Sequence, residues 1–158
     1  MLRPLTIALT LLAAPALAQN VAFGGMTADT SAPVEVAADN LAVDQADGSA
    51  VFTGNVVIGQ GEMRLAADSV TVIYAEGGQN RIQALKAQGN VTLTSGKDAA
   101  QSETADYDVA SGNIALAGAV VLKQGQNVLT GDRMIVNLAD GTARVDGRVR
   151  SVLQPGGN

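Results

Sequence analysis

The sequence has no cysteine, no histidine and no tryptophan. Without cysteine there is no disulfide and no thiolate nucleophile. Without histidine as well, the commonest general bases and zinc ligands are missing. These gaps argue against an enzyme, leaving carboxylates as the only route to catalysis, and no cofactor or metal site is expected. Aromatic residues make up only 3% against 47% apolar residues, so a core must be built from Val, Leu, Ile, Ala and Met. Proline is absent between Val34 and Leu153, as uninterrupted β-ladders require. No useful window carries apolar residues at helical spacing. The net charge of −5 disfavours a nucleic-acid partner, which needs cationic contacts to phosphates.

What is present is glycine, at 18 residues, and repetition. Ala38-Asp39-Asn40-Leu41-Ala42-Val43 leads to Phe52-Thr53-Gly54-Asn55-Val56. Ala67-Asp68-Ser69-Val70 leads to Gly89-Asn90-Val91, Ala105-Asp106-Tyr107-Asp108-Val109 to Gly118-Ala119-Val120, and Gly131-Asp132 to Gly147-Arg148-Val149. Each unit reads small-Asp-x-apolar, then a glycine and a fresh apolar strand. Units repeating about every thirty residues read as stacked supersecondary elements that bury their apolar faces on one another.

The parity of the apolar positions switches at these pairs. Met63 and Leu65 are odd, whereas Val70 and Val72 are even. A one-residue change would turn the side chains outward unless the backbone bulges or bends. The small-Asp pairs therefore mark corners where a long strand kinks and keeps its apolar side inward, with the carboxylate capping the bend. Calcium binding by Asp39, Asp68, Asp106 and Asp132 is the competing reading. Asp47-Gly48, Gly77-Gly78, Gly112-Asn113 and Asp140-Gly141 are hairpin signals, and Gln60-Gly61 and Gln124-Gly125 sit at matching places. The expected fold is all-β, with short antiparallel strands wound as a jelly roll or flattened sandwich. The facing aliphatic sides either leave a slot suited to acyl chains or pack together as an ordinary core. Unpaired edges invite another strand, with Val34–Ala37 expected at one end and Ser151-Val152-Leu153 at the other.

Residues 1–18 read as a signal peptide: Arg3 is the positive flank, Leu5 to Ala14 a short apolar run, and Ala16-Leu17-Ala18 a cleavage site before Gln19. The run is too short to span a bilayer. After cleavage, nine basic and fifteen acidic residues leave a charge of −6. Residues 19–33 lack a period and are expected to be a flexible lead-in. The β-domain is placed at 34–153 and a tail at 154–158.

Val51-Phe52-Thr53-Gly54-Asn55-Val56, Gln60-Gly61, Ala67-Asp68-Ser69-Val70 and Gly131-Asp132, in that order, resemble the LptA/OstA-like family over about Val34 to Leu153. The sequence departs from the family pattern where Gly118-Ala119 and Gly147-Arg148 replace Gly-Asn. The resemblance implies an open-ended twisted β-jelly roll in the periplasm whose apolar groove shields the lipid A chains of lipopolysaccharide. It also implies copies joined head to tail by edge-strand pairing, between LptC at the inner membrane and LptD at the outer membrane. By family analogy Val34, Val36, Tyr107 and Val109 meet lipid. Parity adds Leu41, Val43, Phe52, Val56, Ile58, Leu65, Val91, Leu93, Leu116 and Met134, each of which reads equally as a packed core residue. The cleavage site and the absence of a following barrel favour the bridge protein over an LptC- or LptD-like relative. A structural β-repeat scaffold without lipid is the remaining alternative.

Overall fold

The computed structural model describes residues 26–77 and 81–155. The expected signal peptide, the cleavage site at Ala18 and Gln19, Phe23 and part of the Gly77-Gly78 turn lie outside the described residues. All the secondary structure among the described residues is strand: β1 (Glu35–Ala37), β2 (Asn40–Asp44), β3 (Ser49–Gln60), β4 (Met63–Tyr74), β5 (Ile82–Ser95), β6 (Asp98–Asp108), β7 (Asn113–Gln124), β8 (Asn127–Asn137), β9 (Thr142–Asp146) and β10 (Arg150–Val152). They form one antiparallel sheet in which β3 to β8 follow in chain order. Both β1 and β2 pair with β3, and both β9 and β10 pair with β8. The sheet does not close on itself, so the segments expected at its two edges lie there.

The short strands legible in the sequence are the halves of long ones. Each of β3 to β7 carries its pairing through a bend. The register shifts between Thr53 and Val56, Ala66 and Ser69, Gln88 and Val91, Gln101 and Thr104, and Ala117 and Val120. These bends line up across the sheet and fold it into a V with two arms. One arm holds β2, β9 and the halves that meet at the turns 45–48, 109–112 and 138–141. The other holds β1, β10 and the halves joined by Gly61-Glu62, Gly96-Lys97 and Gly125-Gln126. Side chains on the inner faces form one apolar cluster to which both arms contribute, including Met63, Leu93, Ile114 and Met134.

The corner chemistry explains the repeat. On alternate strands the bend carries two consecutive left-handed residues, such as Gly54 and Asn55 with φ of 81° and 48°. Such angles are rare outside Gly and Asn. A Cβ at Gly54 would lie 2.7 Å from Asp39 Oδ2, so glycine is also demanded by the neighbouring carboxylate. The Asn55 amide donates to that carboxylate at 2.9 Å, and the Asn90 amide donates to Asp68 at 2.8 Å. At the last corner Arg148 replaces Asn, and its guanidinium pairs with Asp132 at 2.9 Å. The aspartates thus bind across the corner to the next strand rather than capping their own.

The third corner corrects the sequence reading. It falls at Ser102-Glu103, not at Ala105-Asp106. Asp106 lies in a straight part of β6 opposite Ala115. Glu103 Oε2 sits 2.6 Å from where a Gly118 Cβ would be, the place Asp39 takes at Gly54. Ala119, at φ 45°, offers no amide to it.

Candidate functional site

The candidate site is the pair of facing inner surfaces. Cross-strand pairs place Leu65 beside Ile58 and Leu93, and Leu116 beside Met134. Of the residues expected to face the slot, Val56, Ile58, Leu65, Val91, Leu93, Tyr107, Leu116 and Met134 are buried, while Val34, Val36, Phe52 and Val109 are half-buried against the same cluster. The structure thus brings twelve of the fourteen expected positions together, and in this state they pack on one another.

Leu41 and Val43 differ. They pair with Phe52 and Ala50, which puts them on the same face as the cluster, yet they are 56% and 52% exposed. Exposure follows from β2 being an edge strand, with no further strand to cover it. The apolar face therefore continues into solvent at the β2 end. At the corner of β8 and β9, Val145 packs close against Gly131, leaving no room there for even a methyl group.

The tips of the two arms are joined by polar contacts that the sequence did not disclose. The buried Tyr107 hydroxyl donates to Gln60 Oε1 at 2.6 Å, linking β6 of one arm to the end of β3 in the other. Burial pushes the Tyr107 phenol above its ordinary range; the Gln60 hydrogen bond opposes that shift, and the nearby Asp108 charge adds to it. Gln60 Nε2 donates to the carbonyls of Thr30 and Ala32 at 3.1 and 3.0 Å. Those carbonyls belong to residues 26–34, which run across the mouth of the V. The Ser95 hydroxyl donates to the Thr27 carbonyl at 2.5 Å, and Ala28 N donates to the Leu138 carbonyl at 3.1 Å. Met26 is buried. The described part of the expected flexible lead-in is therefore docked on both arms. The signal for Gln60 lay in its even parity with Val56 and Ile58, which turns a polar side chain inward. The strap residues left no periodic signal.

The arrangement is built almost entirely of aliphatic side chains. Among the described residues no three His, Cys, Asp or Glu side chains come together as a metal site. Its chemical capacity is apolar: a long aliphatic face, exposed at the β2 edge and strapped at the mouth.

Comparison with known proteins bears on this surface. The profile of the family described as LptA/(LptD N-terminal domain) LPS transport protein matches residues 35–142. An uncharacterised protein of Rhizobium meliloti (strain 1021) is 32% identical over 158 residues, covering 92% of this chain and 85% of that protein. The lipopolysaccharide export system protein LptA of Escherichia coli (strain K12) is 26% identical over 129 residues, covering 78% of this chain and 69% of that one. Among solved structures, LptH of Pseudomonas aeruginosa, the LptA-homologous periplasmic component of the lipopolysaccharide transport device, superposes with a TM-score of 0.72. It shares 21% identity and covers 81% of this chain and 99% of that one.

Proposed function

Because this chain belongs to the LptA/LptD N-terminal domain family of lipopolysaccharide transport proteins, we propose that it carries lipopolysaccharide through the periplasm. In this reading the lipid A acyl chains lie between the arms of the V, and the protein acts without catalysis. The observation that carries the reading is the run of aliphatic side chains on both inner faces, emerging into solvent at Leu41 and Val43. Burying hydrocarbon is worth about 0.8 kcal/mol per CH2, so a chain of about a dozen carbons needs on the order of ten kcal/mol of shelter. In this reading the Leu, Ile, Val and Met side chains of the inner faces supply it once the arms part.

A lipid gains little by moving between two similar grooves, so a row of such proteins conducts without pumping. Direction must come from an energy-consuming partner elsewhere. The unpaired edges β1/β2 and β9/β10 suit strand addition by further copies, by LptC at the inner membrane and by LptD at the outer membrane. Export by a cleaved signal peptide would place the protein there.

One observation favours the second reading, a β-repeat scaffold that binds no lipid: the interior is filled by the protein's own side chains. Photo-crosslinking separates the two. A photoreactive residue at inward Val36 or Tyr107 is expected to label lipopolysaccharide, and one at outward Glu35 is not. Labelling from Glu35 alone would reject the groove.

A further inference from the structure

We propose that residues 26–34 act as a clasp that ties the two arms together in the lipid-free protein and must let go before an acyl chain enters. The inference rests on the lipid-binding reading and adds to it the step by which the groove opens.

Three features of the segment support it. First, it spans the mouth. Thr27, Thr30 and Ala32 are held from the β3 and β5 ends of one arm by Gln60 and Ser95, and Ala28 is held by Leu138 at the tip of the other. Thr30 also lies beside the Gly112 turn and Asp29 beside Gly61, each close enough to meet a side chain placed at that glycine. Because the strap runs on into β1 of the Gln60 arm, parting the arms must break its contacts with the other arm, at Leu138 and the Gly112 turn. Second, the segment is lightly held. Before β1 it pairs with no strand, and Thr27, Asp29, Ser31 and Pro33 are exposed, so only Met26 is fully buried. Segments with few buried contacts and exposed hydrogen bonds open at lower free energy than the sheets they cover. Third, its anchor is a buried amide inside an otherwise aliphatic surface. Tyr107 fixes Gln60 Oε1, leaving Nε2 aimed at the strap carbonyls. Buried polar groups need partners, and here the partner is the strap itself, so the closed position is specified rather than incidental.

The clasp and the ligand then compete. A ligand that binds only the open form has its apparent affinity reduced by the fraction of protein that is open. Locking the clasp weakens binding, and loosening it strengthens binding.

The chain has no cysteine, so a Thr30→Cys/Ala139→Cys pair, whose side chains both flank Gly112, closed by oxidation or by dibromobimane, locks the strap to the arm opposite the one it enters through β1. Binding of fluorescently labelled lipopolysaccharide is followed by anisotropy. The locked form is expected to bind at least about tenfold more weakly than the reduced form, with affinity restored when an oxidised sample is reduced. Gln60→Ala, in protein whose circular dichroism remains that of the parent, is expected to bind up to about tenfold more tightly. Equal affinity of locked and reduced forms, or unchanged or weaker binding by folded Gln60→Ala, overturns the clasp while leaving the lipid reading standing. Binding by neither the parent nor any variant removes the lipid reading, and the clasp with it.

Discussion

Replacing Ala119 by asparagine should stabilise the protein, and the corner geometry sets the size of the effect. Ala119 holds a left-handed φ of 45°, which costs an L-residue about 1–2 kcal/mol and which asparagine tolerates better. Recovering part of that cost gives about 0.5–1 kcal/mol. Glu103 Oε2 lies where Asp39 Oδ2 lies at the first corner, so the introduced side-chain amide has an acceptor placed as that of Asn55 is. An exposed hydrogen bond of this kind adds about 0.5 kcal/mol. The sum, about 1–1.5 kcal/mol, corresponds to a melting-temperature rise of roughly 2–6 °C for a chain of this size. Urea and thermal melts of Ala119→Asn and of the reverse change at the second corner, Asn90→Ala, measure it. Equal and opposite shifts are expected. If Ala119→Asn is neutral while Asn90→Ala costs about 1 kcal/mol, the longer Glu103 does not substitute for Asp. If both are neutral, the account of why Gly-Asn recurs is wrong.

Leu93→Ala removes a buried side chain from the centre of the cluster and should cost about 2–5 kcal/mol in urea melts. Tyr107→Phe leaves Gln60 Oε1 buried and unpaired, for about 1–3 kcal/mol. The parent should also lose stability in alkali. The Tyr107 phenol is held above its ordinary pKa of 10.0 by burial, so its contribution is complete below that value and disappears as pH rises through the raised one. The Phe variant should lack that part of the alkaline transition. Leu41→Asp/Val43→Asp alters exposed positions and should change stability by less than about 0.5 kcal/mol for each substitution. It should reduce association at rising concentration in sedimentation, and unchanged self-association would count against the β2 edge as a joint.

The bent-strand architecture was legible because it rests on backbone chemistry. The parity switches at Ala38-Asp39 and Ala67-Asp68, with glycines at matching intervals, already required a strand that bends without turning its apolar side outward. Ser102-Glu103 escaped because neither residue matches the Ala-Asp pattern and Ala105-Asp106 imitates it. A second regularity would have found it. Asn55, Asn90 and Ala119 each precede a Gly-x turn by six residues, and Asp68, Glu103 and Asp132 each follow it by six. The clasp was not legible, because it is held through main-chain carbonyls of Thr27, Thr30 and Ala32, and any residue carries those. Exposure of Leu41 and Val43 depended on which strand became an edge, a property of the whole sheet rather than of the local pattern.

The central claim is that the arms move apart to admit hydrocarbon. Nitroxide labels at Lys97→Cys and Ala110→Cys report it most directly, since these exposed turns cap the two ends of β6, one on each arm. Pulsed electron-electron double resonance is predicted to show a longer distance when lipopolysaccharide is bound than in the free protein. An identical distance distribution in the lipid-bound and lipid-free states would contradict it.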